Sequence, residues 1–248
     1  MDLLIELANN KENDREIRRA CITLLTRFKD IKILDTLTNS LDDEYRFIRF
    51  WAIRGLIKLK DPKAIPSLIK GLGDPDEEIR KEVRSHLEIL GNDAVPAMIQ
   101  AFKEPEASKF LRFGVVGLLG RLNHPKALPF LLESLNDEND RIVTIALRGI
   151  GKQPDPKSIK PLIELYLRKP ERRRLIEDAL YRIGQNHSKL FVENIVSFFQ
   201  EENPDIINLA TVLFEKLPES YGYIEKFLQK ADADEKIKNI CKSILSKI

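Results

Sequence analysis

Three histidines, His86, His124 and His187, are the side chains of this sequence best suited to acid–base work or metal ligation, because imidazole titrates near neutral pH and binds metals readily. They lie in separate stretches, none has a second ligand at metal-binding spacing, and no Cys-x-x-Cys pair occurs. They read as surface or loop residues. Gly114, Gly117 and Gly120 in FGVVGLLGRL would matter as a phosphate-cradling loop, but no strand precedes them and no Lys-Ser/Thr follows. They are expected inside a helix, where they allow close helix packing or, for Gly114 and Gly117, cut a notch into the surface that the helix presents. Cys21 and Cys241 are the only two cysteines, which is too few for a disulfide framework and fits a reduced compartment. No nucleophile–base pair, phosphate loop or metal cluster is present. The expectation is a non-enzymatic protein with no catalytic residue, metal or cofactor, so the chemistry left to explain is that of recognition by arginine, lysine and aromatic side chains.

The elements that position those side chains follow from an internal repeat. The 248 residues carry 43% apolar and 32% charged side chains, enough to bury a core and too apolar for general disorder. Only 11 Gly and 13 Pro are present, which argues against a sandwich or barrel with a turn every 8–12 residues. No apolar run is long enough to cross a membrane, and the N-terminus lacks a basic segment followed by a long apolar stretch; a cytoplasmic location is expected. An apolar residue, often followed by a basic one and three positions later by a small or short apolar one, recurs at Ile17, Ile48, Ile79, Leu111, Ile142, Leu175, Ile206 and Ile237, with offsets of 31 to 33. Ahead of it runs a second register at i, i+3, i+4 and i+7, as in Ile65-Leu68-Ile69-Leu72 and Val95-Met98-Ile99-Phe102, which is one face of a helix.

Each unit is therefore a shorter helix A, a turn, and a longer helix B. Pro66, Pro96, Pro129 and Pro161 fall in the first turn of helix A, where a missing N–H costs nothing. Asp74-Pro75-Asp76 and Asn136-Asp137 mark the turn into helix B, and Gly91, Gly151 and Gly184 are expected to end helix B in a left-handed conformation. A pair of this size cannot bury its own apolar face, so successive pairs must stack. The repeats run over 1–29, 30–60, 61–91, 92–122, 123–153, 154–185, 186–218 and 219–248, a single solenoid of about eight helix pairs without a second domain.

The stretch DPKAIPSLIKGLGDPDEEIRKEVRSHLEILG over 61–91 resembles the short HEAT-like repeat named after phycobilisome lyases. The match is sharp for the units beginning near 30, 61, 92 and 123 and degenerates toward both ends. The resemblance implies an all-α, right-handed α-α superhelix with helix B on the concave side, and implies little about activity. HEAT-type di-iron hydroxylases carry His-Glu steps, whereas Leu87, Pro125 and Ser188 follow the three histidines here.

With the aligned apolar residues turned inward, six slots of each helix B should face the groove. The second unit places Arg46, Phe47, Phe50, Trp51, Arg54 and Lys58 there. The fourth places Phe110, Phe113 and Arg121, the fifth Arg141 and Arg148, and the sixth Arg173, Arg174 and Tyr181. Over the first six units these slots hold fourteen basic and seven acidic residues, while the whole chain has a formal charge of only +2. The third unit interrupts with Glu77, Glu78 and Glu82. Arg18, Arg49, Arg80 and Arg112 recur in register, each six positions after Glu12, Asp43, Asp74 or Glu106. They are expected to form a structural ladder within or between units.

A rotation of helix B would instead tuck Phe47, Phe50 or Phe113 between helices. If they face outward, the groove is expected to grip an acidic, partly apolar protein segment, because exposed aromatics and Arg mark interaction surfaces. Nucleic acid is the alternative, since HEAT-like alkylpurine DNA glycosylases hold a duplex in such a groove, but the acidic third unit and a pI near 8.4 count against it. Handling of a phycobilin-type tetrapyrrole is what the family name suggests. The short apolar start Met1-Asp2-Leu3-Leu4-Ile5 leaves the protein a monomer or a weak dimer through that end, and the last helix, with Lys236, Asn239, Lys242 and Lys247, reads as a polar cap.

Overall fold

The computed structural model describes residues 1–122, 124–230 and 234–248. Among them sixteen α-helices alternate with short 3₁₀ turns and no strand occurs. The chain divides into two compact units, residues 1–127 and 128–248. No helix of the described residues is long and apolar enough to cross a membrane.

In the first unit the pairs are α1 (Asp2–Asn9) with α2 (Arg15–Leu25), α3 (Leu34–Asn39) with α4 (Arg46–Leu59), α5 (Ile65–Lys70) with α6 (Glu77–Leu90), and α7 (Val95–Lys103) with α8 (Lys109–Leu119). In the second they are α9 (Ala127–Glu133) with α10 (Asp140–Lys152), α11 (Ile159–Arg168) with α12 (Arg173–Asn186), α13 (Ser188–Ser197) with α14 (Pro204–Glu215), and α15 (Tyr221–Leu228) with α16 (Glu235–Leu245). Within each unit every B helix packs against the next: α2 on α4, α4 on α6, α6 on α8, and likewise α10 on α12, α12 on α14, α14 on α16. The fold is an all-α succession of eight helix pairs, as the period demands.

Local sequence sets the punctuation. Asp30, Asp61 and Asp155 each accept a hydrogen bond from the backbone N–H two residues on, at 2.9, 2.8 and 2.8 Å, which turns the chain into helix A. Asp14, Asp76, Ser108, Asn139, Asn203 and Asp234 cap helix B by accepting from its first free N–H groups, which would otherwise lack partners. Gly91 takes the left-handed conformation with φ of 60° and ends α6, as expected. Gly151 and Gly184 do not: they lie inside α10 and α12. A Cβ on Gly184 would stand 2.4 Å from Leu217 Cδ1 and 3.2 Å from Phe191 Cδ1, so close packing rather than backbone freedom excludes a side chain there. The second repeat ends its B helix with a left-handed Lys60 instead.

The aligned residues form the core. Ile48, Ile79, Leu111, Ile142, Ile206 and Ile237, with Ala52, Val83, Val115, Ala146 and Ala210, are all buried, each larger one contributing about 1.5–3 kcal/mol by leaving water; in the sixth repeat the register's Leu175 is half-buried and its neighbour Ile176 takes the core position. Ile17, the first member of the register, is 47% exposed, unlike its counterparts, and Leu3, Leu24 and Phe28 are exposed in the same stretch. At the other end Lys236, Asn239, Lys242 and Lys247 face solvent. Cys21 and Cys241 are both buried and unpaired. Burial pushes the Cys241 thiol up to about 11.

Candidate binding face

The repeating arginines build a ladder in the first unit. Arg18 Nη1 donates to the Lys11 and Asn13 carbonyls of its own turn, while Nε and Nη2 reach the Asp43 carboxylate of the next repeat at 3.2 and 3.3 Å. Arg49 repeats the pattern more tightly. Its Nη1 donates to the Asp43 and Glu44 carbonyls, and Nε and Nη2 hold Asp74 at 2.8 and 3.1 Å. The carboxylate thus pairs with the arginine 25 residues before it, not with the one six residues after it. Arg80 departs from the rule: it bonds the Asp74 and Pro75 carbonyls and Glu77, and its guanidinium sits 4.2 Å from the centroid of the Phe110 ring. Arg112 lies 4.5 Å from that of Phe102. Hydrogen bonds from Arg84 and Arg80 hold the Glu77 carboxyl below its usual range.

On α4 the ladder faces inward and a second set of side chains faces out. Arg46, Phe47, Phe50, Trp51, Arg54 and Lys58 occupy one face at helical spacing. Phe47 is 45% exposed; Phe50 and Trp51 are half-buried and Arg46, Arg54 and Lys58 exposed. Tyr45, the residue just before the helix, meets Phe47 edge to face at 5.4 Å, and Phe50 meets Trp51 in the same way at 5.8 Å. Arg15 lies 5.0 Å from the Tyr45 ring, Arg46 5.1 Å from Phe47, and Arg54 5.7 and 5.6 Å from Phe50 and Trp51. These are cation–π distances. Tyr45 also donates to Glu16 Oε1 at 3.2 Å. Sequence spacing missed Tyr45 because it precedes the helix and so belongs to no helical slot.

The third repeat neutralises much of this face. Arg46 pairs with Asp76 at 3.1 Å, Arg54 approaches Glu82 at 3.9 Å, and Arg121 pairs with Glu88 at 3.0 Å. The excess of basic slots read from the sequence is therefore not a free positive surface in this unit; α6 supplies counter-charges to α4 on one side and to Arg121, just beyond α8, on the other. Phe110 and Phe113 are half-buried, and α6 separates them from Trp51, so the aromatics of α4 and α8 do not form one cluster. Gly114 is buried, with Leu72 Cδ2 3.2 Å from where its Cβ would stand. Gly114 serves helix packing and is no notch in the outer face.

In the second unit Arg141, Arg148 and Arg174 are exposed. Arg173 donates to Asp205 at 2.6 Å and lies 4.6 Å from the Tyr166 ring; the hydrogen bond to Asp205 raises its pKa. Tyr166 bonds Glu177 at 3.3 Å, and burial raises its phenol. Tyr181 is half-buried and accepts from Gln185 at 2.8 Å. Arg172, outside the groove slots, bonds Thr144 and pairs with Asp140 at 3.0 Å. This unit presents basic side chains without an exposed aromatic centre comparable to Phe47.

The histidines do structural work. His124 Nδ1 accepts from the Lys126 N–H at 3.0 Å and His187 Nε2 lies 3.0 Å from the Pro154 carbonyl. Burial lowers the pKa of His86. Among the described residues no group of three His, Cys, Asp or Glu side chains is placed to hold a metal ion.

No curated protein matches this chain in sequence. Among solved structures it is similar to the complex of CpcE and CpcF of phycocyanin lyase from Nostoc sp. PCC7120, at 21% identity over 98% of this chain and 94% of that one, with a TM-score of 0.37. It is similar to importin beta at 14% identity over 98% of this chain and 40% of that one, with a TM-score of 0.48. An engineered protein is similar at 13% identity over 99% of this chain and 77% of the other, with a TM-score of 0.39. At such identities and superpositions nothing functional passes from these proteins to this one. The family profile for HEAT repeats matches residues 1–88 and 95–181, more than two thirds of the length, and the helix pairs over both stretches stack at the period read from the sequence: the chain belongs to the HEAT repeat family.

Proposed function

We propose that this protein is a non-enzymatic interaction scaffold that grips a protein segment on the outer face of α4. The observation that carries the reading is Phe47, 45% exposed and paired edge to face with Tyr45, on the same helix face as a second edge-to-face pair, Phe50 with Trp51, with three guanidinium groups beside the rings. Aromatic and arginine side chains held rigidly and in part exposed are the usual anchors of an interface. Because Asp76 and Glu82 already accompany Arg46 and Arg54, the segment's apolar or aromatic side chains supply most of the affinity. Acidic groups on it meet the remaining cations, Lys58 among them. A weak dimer through the exposed Leu3, Ile17 and Leu24 is compatible with this face remaining open.

The test is affinity capture from a native lysate with the wild type and with Trp51→Ala and Phe47→Ala, followed by measurement of Kd for whatever is captured. Trp51→Ala is expected to cost about 2 kcal/mol or more, roughly thirtyfold in Kd. Partners that bind wild type and both variants equally would remove the assignment. Raising the salt from about 50 to 200 mM should weaken binding far less than the ~10³-fold or greater loss typical of a protein that neutralises many phosphates; a loss of that size would identify nucleic acid as the partner.

A further inference from the structure

In the second unit α13 and α15, the A helices of the last two repeats, pack side by side and leave between them a cleft of about 230 Å³ lined by Lys189, Val192, Glu193, Tyr223, Lys226, Phe227 and Lys230. The spacing is helical on both sides, so each helix turns one face to the cleft. Buried Val192 and half-buried Tyr223 and Phe227 make an apolar floor and wall. Lys226 Nζ lies 5.5 Å from the Tyr223 centroid and Lys230 Nζ 5.7 Å from that of Phe227, which fixes two ammonium groups at the rim.

Some cations of this unit meet carboxylates, as Arg172 does with Asp140, Arg173 with Asp205 and Lys236 with Glu202. At this cleft three lysines gather around a single carboxylate, Glu193, and among the described residues none of the three forms an ion pair. An apolar pocket with convergent charges of one sign selects a ligand of the opposite sign with an apolar body. A volume of about 230 Å³ is below the ~300–1,000 Å³ of ordinary ligand pockets, so it suits one ring system or a short alkyl chain and excludes a tetrapyrrole.

We propose that the α13–α15 cleft binds a small amphiphilic anion, a carboxylate or phosphate carried on a short apolar body, with Lys226 and Lys230 meeting the charge and Tyr223, Phe227 and Val192 the body. This site is independent of the α4 face. The experiment is a titration of the ¹⁵N-labelled full chain with octanoate and octyl phosphate, with octanol as the tail-only probe and inorganic phosphate as the head-only probe. Saturable amide shifts confined to α13 and α15 are expected with at least one of the two anions, and binding at least about tenfold weaker with octanol and inorganic phosphate. Lys226→Ala with Lys230→Ala, both exposed positions that leave the core intact, should weaken the binding anion about tenfold or more, as should Phe227→Ala. Octanol binding as tightly as the anions, an unchanged affinity in the double lysine variant, or shifts mapping to Tyr45–Lys58 instead would each overturn the proposal.

Discussion

Asp74→Ala should destabilise the first unit by about 3–5 kcal/mol, the cost of leaving a buried charge without its partner. The Asp74 and Arg49 side chains are 6% and 10% exposed, and two hydrogen bonds at 2.8 and 3.1 Å join them in a fork. Asp74 also accepts from the Asp76 N–H at 2.8 Å, so its removal frees a second donor. Urea unfolding followed by circular dichroism reads the loss, and a change below about 1 kcal/mol would show that water already shares the pair. The double variant Arg49→Met with Asp74→Leu should recover only part of it. It removes both charges, but it strands the Asp43 and Glu44 carbonyls that Arg49 Nη1 now bonds at 2.9 and 3.0 Å, and unmet buried carbonyls carry their own cost.

Phe191→Ala is expected to cost the second unit about 3–5 kcal/mol through the cavity it opens. Phe191 is fully buried, meets Phe214 edge to face at 6.1 Å, and lies against Gly184. The edge-to-face contact adds about 0.5–1.5 kcal/mol beyond area alone. Because each repeat touches only its neighbours, the damage should stay local. Hydrogen exchange ought to accelerate in α12, α13 and α14 and stay near wild type in α2 and α4. Uniform acceleration across the chain would instead mean that the protein opens in one concerted step.

Most of the architecture was legible because its cause is periodic. One apolar residue every 31 to 33 positions decides which side of helix B is buried, so Ile48, Ala52, Ile79 and Val83 could be placed in the core and Arg46 and Arg54 outside it from spacing alone, whereas Phe47, which a rotation of the helix could have tucked inward, needed the structure. What spacing cannot carry is the lateral relation between repeats. The A-to-B turn of one repeat falls beside the start of the preceding helix B, so Asp43 and Asp74 meet Arg18 and Arg49 across the stack. For the same reason the third repeat's carboxylates reach Arg46, Arg54 and Arg121, which offsets part of the charge excess that a count by slots suggested. Gly151 and Gly184 misled because a glycine in the last turn of a helix looks the same whether it is needed for φ or for contact; α10 and α12 simply run on to Lys152 and Asn186.

The two cysteines acquire a use from where the repeats place them. Cys21 sits in the first helix pair and Cys241 in the last, each buried and each alone. Repeats held by nearest-neighbour contacts open locally, and a shielded thiol can be alkylated only while its own pair is open. Native thiol labelling therefore follows the opening of each compact unit separately, Cys21 reporting on residues 1–127 and Cys241 on 128–248, with no engineered probe.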